Sequence, residues 1–247
     1  MKIDKDTKLY CSFSSNPGSL GCKRFNNAFQ KNGINAIYKS FRVNDETTAD
    51  DIYLIINTLG IAGCAISMPL KRKIFESDKI FHGVGEAGQT DAMVYTQNIN
   101  TIINKSDEFD DLLNESNLIG YNTDVLGIAH YLKEHEYLLN KQSNYVFIIG
   151  NGSFAKSADF VFKKLGYSVF FKNSRDIDLN IKKTSVTENA VVFNASPRII
   201  SQEEVDPSIF FIDCNTNTKS GKKMSFYTAR EQYRLYGYDQ NQFEEIE

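Results

Sequence analysis

Two α/β domains in one chain, each a parallel or mostly parallel sheet covered by helices, are what this 247-residue sequence predicts. Three observations carry the prediction. Residues 9–68 alternate short apolar strands with helix-period segments in β-α-β-α-β order. The alternation starts again at Tyr145, after a polar stretch. Hydrophobic residues make up 41% and charged residues 24%, which is globular composition with ample material for a core.

In order, LYCSFS (Leu9–Ser14) reads as a strand. Ser19–Asn32 reads as a helix closed by Gly33 at the C-terminal cap. AIYKSFRV (Ala36–Val43) alternates apolar and polar residues, as a half-buried strand does. Asn44 or Asp45 can cap the next helix, whose Ile52, Ile55, Ile56 and Leu59 share a face and which Gly60 ends. AGCAISM (Ala62–Met68) suits a buried strand. AMVYTQNINTII (Ala92–Ile103) reads as a hairpin or edge strand, followed by a polar, acidic insertion. Thr123–Leu139 reads as one long amphipathic helix, and KQSN (Lys141–Asn144) as a linker. Then come a strand at Tyr145–Gly150, a helix at Ser153–Leu165, and strands at Ser168–Lys172, Ala190–Ser196 and Ile209–Cys214. The closing segment, Ser225–Ile246, reads as helical with a break at Gly237.

The charge balance excludes a strongly basic nucleic-acid footprint: 28 basic and 31 acidic residues leave a formal charge of −3. Cys11, Cys22, Cys64 and Cys214 show no CxxC spacing, so free thiols are expected rather than a zinc or disulfide framework. His82, His130 and His135 form no ligand pattern, and no metal is expected. MKIDKDTKLY has no apolar run of signal-peptide length, and no stretch has the length of a membrane span. A cytoplasmic protein with no membrane or nucleic-acid partner, monomeric or homodimeric, is the expectation.

Four segments carry chemistry. In YVFIIGNGSFAKSADF, a strand ends at Gly150 and Gly152 opens a helix, the arrangement that lets a phosphate approach backbone N–H groups. The third glycine of the common fingerprint is absent, and an ordinary βα turn is the plain alternative. After the next strand stand Lys172, Asn173, Ser174 and Arg175, where a carboxylate would favour NAD; cations suit the 2′-phosphate of NADP instead. GCAISMPLKRK places Ser67, Pro69 and Lys71 at the carboxyl end of a strand, where open α/β sheets bind ligands and where a desolvated lysine can act as a base. In GYNTDVLG, Asn122 or Thr123 can cap a helix and Asp124 lies in its first turn. FNASP (Phe193–Pro197) follows a strand with small polar residues.

In this order the segments resemble the shikimate dehydrogenase family, and most nearly its shikimate dehydrogenase-like branch. A-I-S-M-P-L-K ending at Lys71 is similar to the family's N-V-T-x-P-x-K. Gly120–Asp124 matches its G-Y-N-T-D, G-N-G-S at Gly150–Ser153 its G-x-G-G, and N-A-S-P at Asn194–Pro197 its N-A-T-P. NPGSLGCKRFNNAF resembles the S-x-S-P-x-x-H-N-x-x-F loop and helix.

The resemblance implies an α/β substrate domain at 1–121, with a C-terminal helix at 225–247 packing back on it, and a small Rossmann-like NADP-binding domain at 122–224. It implies an NADP-dependent oxidoreductase of aromatic amino acid (chorismate pathway) biosynthesis, with NAD as the alternative cofactor. The substrate is shikimate or a similar cyclic hydroxy acid. Lys71 would transfer the proton, paired with Asp124. Ser19, Gly21, Ser67, Asp91, Asn122 and Thr123 would line the substrate. Gly150, Asn151, Gly152, Ser153, Phe154, Ala155, Asn173, Ser174, Arg175, Ala195 and Ser196 would line the cofactor.

The chain departs from the pattern at several places. One loop serine falls on Gly21 and the histidine on Phe25. The asparagine of G-A-V-N-T falls on Asp91, within G-Q-T-D-A. D-C-N-T-N-T lacks the aromatic of D-V-V-Y-x-P, and a late glutamine falls on Thr228. A non-catalytic relative that binds a nucleotide or metabolite is the rival reading.

Overall fold

The computed structural model describes residues 3–83, 89–105, 117–140, 142, 144–172, 190–200, 205 and 207–246. The chain forms two compact units: Met1–Thr123 with Ala229–Glu247, and Asp124–Thr228.

The first unit is built on a six-stranded sheet. Strands β1 (Lys8–Ser14), β2 (Ala36–Arg42) and β3 (Ile61–Ile66) run parallel. Strand β5 (Thr101–Asn104) pairs antiparallel with β3, and β6 (Leu118–Tyr121) antiparallel with β5. The two-residue β4 (Phe81–His82) closes the order β2-β1-β3-β5-β6-β4. Helices α1 (Leu20–Lys31), α2 (Ala49–Thr58), α3 (Leu70–Phe75) and α4 (Gln89–Thr96) join these strands.

Period-two alternation gives this sheet two different faces. Cys11, Phe13, Cys64, Ile66 and Ile102 pack with Ile52 and Ile56 of α2 and Leu70 and Ile74 of α3 into one aliphatic core. On the other face Tyr10 and Tyr38 meet aromatic residues of α1 and of the C-terminal segment. Tyr10 stacks on Tyr236 with centroids 4.5 Å apart, and Tyr38 on Phe25 at 4.4 Å. Gly63 makes the first of these stacks possible: a Cβ there would lie 2.6 Å from the Tyr236 ring.

The second unit holds a four-stranded parallel sheet in the order β10-β9-β7-β8, from β7 (Tyr145–Ile149), β8 (Ser168–Lys172), β9 (Val191–Asn194) and β10 (Phe210–Asp213). Every residue of β9 is buried, which is why VVFN reads as an unbroken apolar run rather than an alternating one. Helices α5 (Thr123–Glu134), α6 (Glu136–Leu139) and α7 (Ser153–Lys164) precede and cross this sheet. Helix α8 (Lys219–Leu235) begins in this unit and ends in the first.

Several elements differ from the sequence expectation. Thr48, not Asn44 or Asp45, caps α2: its hydroxyl accepts from Asp51 N while the Asp51 carboxylate accepts from Thr48 N, a complete capping box. Asn44 instead holds the preceding turn, accepting from Thr47 N at 2.9 Å. The stretch read as a hairpin from Ala92 is helix α4 followed by β5. Ala92, Met93 and Thr96 bury one helical face, and Gln97 turns the chain at φ 50°. The long helix breaks at His135, whose backbone N–H donates to Leu132 O and whose ring Nδ1 donates to Tyr131 O at 2.9 Å. The last helix starts earlier, at Lys219, and ends before Gly237, at φ 90°. The units divide at Thr123/Asp124; of the stretch read as a linker, residues 141 and 143 lie outside the described residues.

The Tyr236–Gly63 contact makes a direct prediction. Gly63→Ala places its methyl group against a buried ring and 3.2 Å from the Ile102 carbonyl oxygen. It should lower unfolding free energy by about 1–3 kcal/mol, read as a shifted midpoint in urea with unchanged slope.

Candidate functional site

In the first unit the candidate site lies at the carboxyl ends of β1 and β3. Two connections leave the sheet there and are tied together: Ser15 N donates to Met68 O at 3.0 Å, and Ser67 N to Phe13 O at 3.0 Å. Ser67 follows β3 directly, and Leu70 N closes the turn onto Ser67 O at 2.9 Å. Lys71 is the second residue of α3, half-buried, with its own carbonyl accepting from Ile99 N. Ser19 precedes α1 and its hydroxyl makes no cap bond, so it is not consumed by the helix. Gly21 stands in the first turn of α1, 3.5 Å (from an ideal Cβ) to the Tyr38 ring, an ordinary contact distance. Phe25 is buried in the aromatic face.

Behind this edge lies a buried amide and hydroxyl cluster. Asn100 immediately precedes β5, beside the end of β3, and its carbonyl accepts from Ile66 N at 2.8 Å. Its side-chain Oδ1 accepts from Thr123 N at 2.7 Å and from the Thr123 hydroxyl at 3.1 Å. Asn100 thus supplies, from another strand, the N-terminal cap that α5 needs.

Asn122 is spent in the same way. Its backbone N–H donates to Gln89 Oε1 at 3.0 Å, its carbonyl accepts from Gln89 Nε2, and its side-chain amide donates to the Thr96 hydroxyl at 2.9 Å. Asn122 and Thr123 are both 0% exposed. Their hydrogen-bonding groups hold the head of α5 from inside.

Asp91 is exposed in the first turn of α4, and the segment that pairs with β6 is Thr101–Asn104. The asparagine beside the end of β3 is Asn100. The signal that marks it is in the sequence: Asn100–Thr101 repeats the Asn–Thr pair of Asn122–Thr123, and the two pairs end up bonded to each other.

In the second unit, β7, β9 and β10 end side by side. Gly150 follows β7 at φ 103°, and a Cβ there would lie 3.2 Å from the Ala195 carbonyl and 3.3 Å from Ser196 N. Only glycine fits that conformation and that approach. Gly152 has open space where a side chain would be, and it caps α7 with no side-chain bond. The first turn of α7, Ser153–Phe154–Ala155, carries no acidic residue, so its N–H groups suit an anion such as a phosphate. Asn151 is exposed in the turn between the two glycines. Ala195 N bonds to Ile149 O, and the Ser196 hydroxyl donates to Asn194 Oδ1 at 2.7 Å. Lys172 ends β8, exposed, while Asn173, Ser174 and Arg175 lie outside the described residues.

Asp213, at the end of β10, was not singled out in sequence. Its Oδ1 accepts from Asn215 N at 2.9 Å and Asn194 Nδ2 at 3.2 Å, while Oδ2 is buried with no hydrogen bond among the described residues. Burial pushes its carboxyl above the usual range, and these two bonds offset that only in part. Asp124, first residue of the second unit, is buried in the first turn of α5. Among the described residues no three His, Cys, Asp or Glu side chains gather to hold a metal ion, and no helix is long and apolar enough to cross a membrane.

A parallel-sheet unit with a glycine turn at a helix start, joined to an α/β unit with a lysine at a strand end, has the form of a two-domain dehydrogenase. The comparisons name the family. The model of the shikimate dehydrogenase substrate binding domain matches residues 18–83. A shikimate dehydrogenase-like protein of Haemophilus influenzae is 33% identical over 167 residues, 67% of this chain and 52% of the relative. The NADP(+) shikimate dehydrogenase of Sulfolobus acidocaldarius is 32% identical over 175 residues, 70% of this chain and 56% of the relative. The matches thus span about half the length of these curated relatives.

Over nearly the whole chain, the fold is that of solved shikimate dehydrogenases. The one from Aquifex aeolicus gives a TM-score of 0.73 at 18% identity, covering 98% of this chain and 97% of that one. The one from Thermus thermophilus, solved with NADP(H) and shikimate, gives 0.71 at 14% identity, covering 96% of each. This chain belongs to the shikimate dehydrogenase family.

The Asp213 carboxyl makes a pH-dependent prediction. Its folded-state pKa is raised, so it favours the fold while protonated, and that contribution is lost as pH rises through the folded value. Asp213→Asn keeps an acceptor for Asn194 and Asn215 and removes the buried charge. Urea unfolding should find the variant as stable as the parent or more so at neutral pH, with the advantage gone below about pH 4.

Proposed function

We propose that this chain is an NADP-dependent oxidoreductase that interconverts shikimate, or a similar cyclic hydroxy acid, and its 3-dehydro ketone, with NAD as the alternative cofactor. The first unit takes the small-molecule substrate and the second takes the dinucleotide. The observation that carries the reading is Lys71: a half-buried lysine on the turn that leaves β3, two residues after Pro69 and four after Ser67, in a chain of this family.

The residues present fit the dinucleotide. The Gly150–Gly152 turn and the uncapped start of α7 at Ser153–Ala155 would hold its phosphates, with Ala195 and Ser196 on the neighbouring strand end. Lys172 and Arg175 would favour a 2′-phosphate. When bound, NADP(H) supplies or accepts the hydride.

The chain's own task is the proton and the pose. Oxidation removes a hydride from the carbinol carbon and a proton from its oxygen. Lys71 takes that proton in one direction and returns it in the other, with Asp124 pairing with it. Ser67 donates or accepts at a ring hydroxyl, Asn100 contributes its side-chain amide, and Ser19 faces the carboxylate end. A metabolite-binding relative without turnover is the second reading, favoured by the missing hydroxyl at Gly21 and the buried Phe25 in place of a histidine.

Absorbance at the NADPH wavelength with NADP and shikimate, then quinate, separates the two, since the second reading gives a thermal shift with no turnover. Lys71→Ala should lower kcat at least about 100-fold while NADPH affinity stays nearly intact; an active variant would remove Lys71 from the mechanism. Gly21→Ser meets only ordinary contacts with Tyr38. By restoring one hydroxyl it should lower the shikimate KM about three- to tenfold and leave the NADP KM unchanged.

A further inference from the structure

Helix α8 sends one amide into the buried cluster behind the candidate site. Gln232 is 6% exposed, and its Nε2 donates to the Thr101 hydroxyl at 3.1 Å and reaches the Thr123 hydroxyl at 3.5 Å. The two hydroxyls are 2.9 Å apart, and the Thr123 hydroxyl donates to Asn100 Oδ1 at 3.1 Å.

Donor and acceptor chemistry gives this chain one direction. Asn100 Oδ1 must be the oxygen, because the Thr123 backbone N–H donates to it at 2.7 Å. An amide nitrogen is donor-only, so Gln232 must start the chain. The chain thus starts at Gln232 Nε2 and ends at Asn100 Oδ1; its shorter contacts run through the Thr101 hydroxyl and then the Thr123 hydroxyl, and Thr101 also lies 3.3 Å from Asn100 Oδ1. With its oxygen committed to this cluster, Asn100 has only its Nδ2 left to offer, and that nitrogen has no hydrogen bond among the described residues. Asn100 sits beside Ile66, one residue before Ser67.

We propose that Gln232 is a positioning residue that acts through Thr101 and Thr123, locking the Asn100 amide so that it presents its N–H donors to a substrate oxygen and fixing the start of α5, where Asp124 follows. The role of Asn100 toward substrate rests on the function proposed above; the lock itself does not. A side chain of the same size without donors cannot start the chain. Thr101 and Thr123 can then reverse their hydroxyls, and of the bonds that set the Asn100 amide only the one from the Thr123 backbone N–H is assured.

Gln232→Met tests this with two readouts. The KM for the ring acid should rise about tenfold with the NADP KM unchanged, and that rise should vanish when the substitution is made in an Asn100→Ala background. Independently of any substrate, hydrogen exchange at the Thr123 amide should lose about tenfold in protection while amides in β1 and β3 keep theirs. A Thr123 amide with parental protection in Gln232→Met overturns the lock, as does an equal KM rise with and without Asn100. Absence of turnover by the parent protein bears on the proposed reaction alone and leaves the exchange measurement to decide. Should Gln232→Met fail to fold, Thr101→Val breaks the same chain one link along and must produce the same selective loss at Thr123.

Discussion

The side-chain carbonyl of Asn100 is the point on which the first unit's site depends. A helix start leaves N–H groups without partners, and the head of α5 is buried where water cannot supply one. Asn100 Oδ1 supplies it from a neighbouring strand, at 2.7 Å from Thr123 N. A net hydrogen bond of this kind contributes about 0.5–1.5 kcal/mol, but leaving the buried donor unmet costs about 1–3 kcal/mol. The asymmetry makes the arrangement specific: Asn100 cannot shift without stranding Thr123, and the neighbouring Asn122 is tied in turn to Gln89 and Thr96. A cluster of this kind orients groups more than it stabilises the fold.

The two faces of the first unit's sheet serve this cluster differently. The aliphatic face anchors α2 and α3 and so fixes the turn carrying Ser67 and Lys71. The aromatic face holds the C-terminal segment, through Tyr233 and Tyr236, against Phe25, Phe29 and Tyr10. That packing sets the position of α8 and hence of Gln232, one residue before Tyr233. A contact with no chemistry of its own, Tyr236 on Gly63, therefore contributes to where an amide one helical turn earlier is placed.

What was legible in the sequence follows from the range of the interactions concerned. Strand alternation and glycine stops are local, and β1, β2, β3 and the strand–turn–helix at Gly150 could be read from them directly. The cap at Thr48 was missed because Asn44 and Asp45 are equally good capping types, and only the reciprocal bond with Asp51 decides among them. The helix at Gln89–Thr96 was missed because its buried face contains Thr96 and Gln89, so burial there does not look apolar. Asn100 and Gln232 were invisible for a different reason. Their roles lie in bonds between residues 23 and 131 positions apart, and a polar residue buried by a distant partner has no local signature.

The departures from the family pattern then acquire a structural order. Ser67, Lys71 and Asn100 sit where backbone bonds between β1, β3 and β5 dictate geometry, and those residue types are retained or supplied from nearby. Gly21 and Phe25 sit on α1, whose inner face is part of the aromatic cluster, with Phe25 stacked on Tyr38 and Gly21 beside the same ring. At that end polar groups have been exchanged for packing. The turn that carries the lysine is held separately, by Ser67 N donating to Phe13 O and Leu70 N to Ser67 O. Lys71 and the pair Gly21 and Phe25 thus stand on different elements of the first unit, α3 and α1, each held by its own packing.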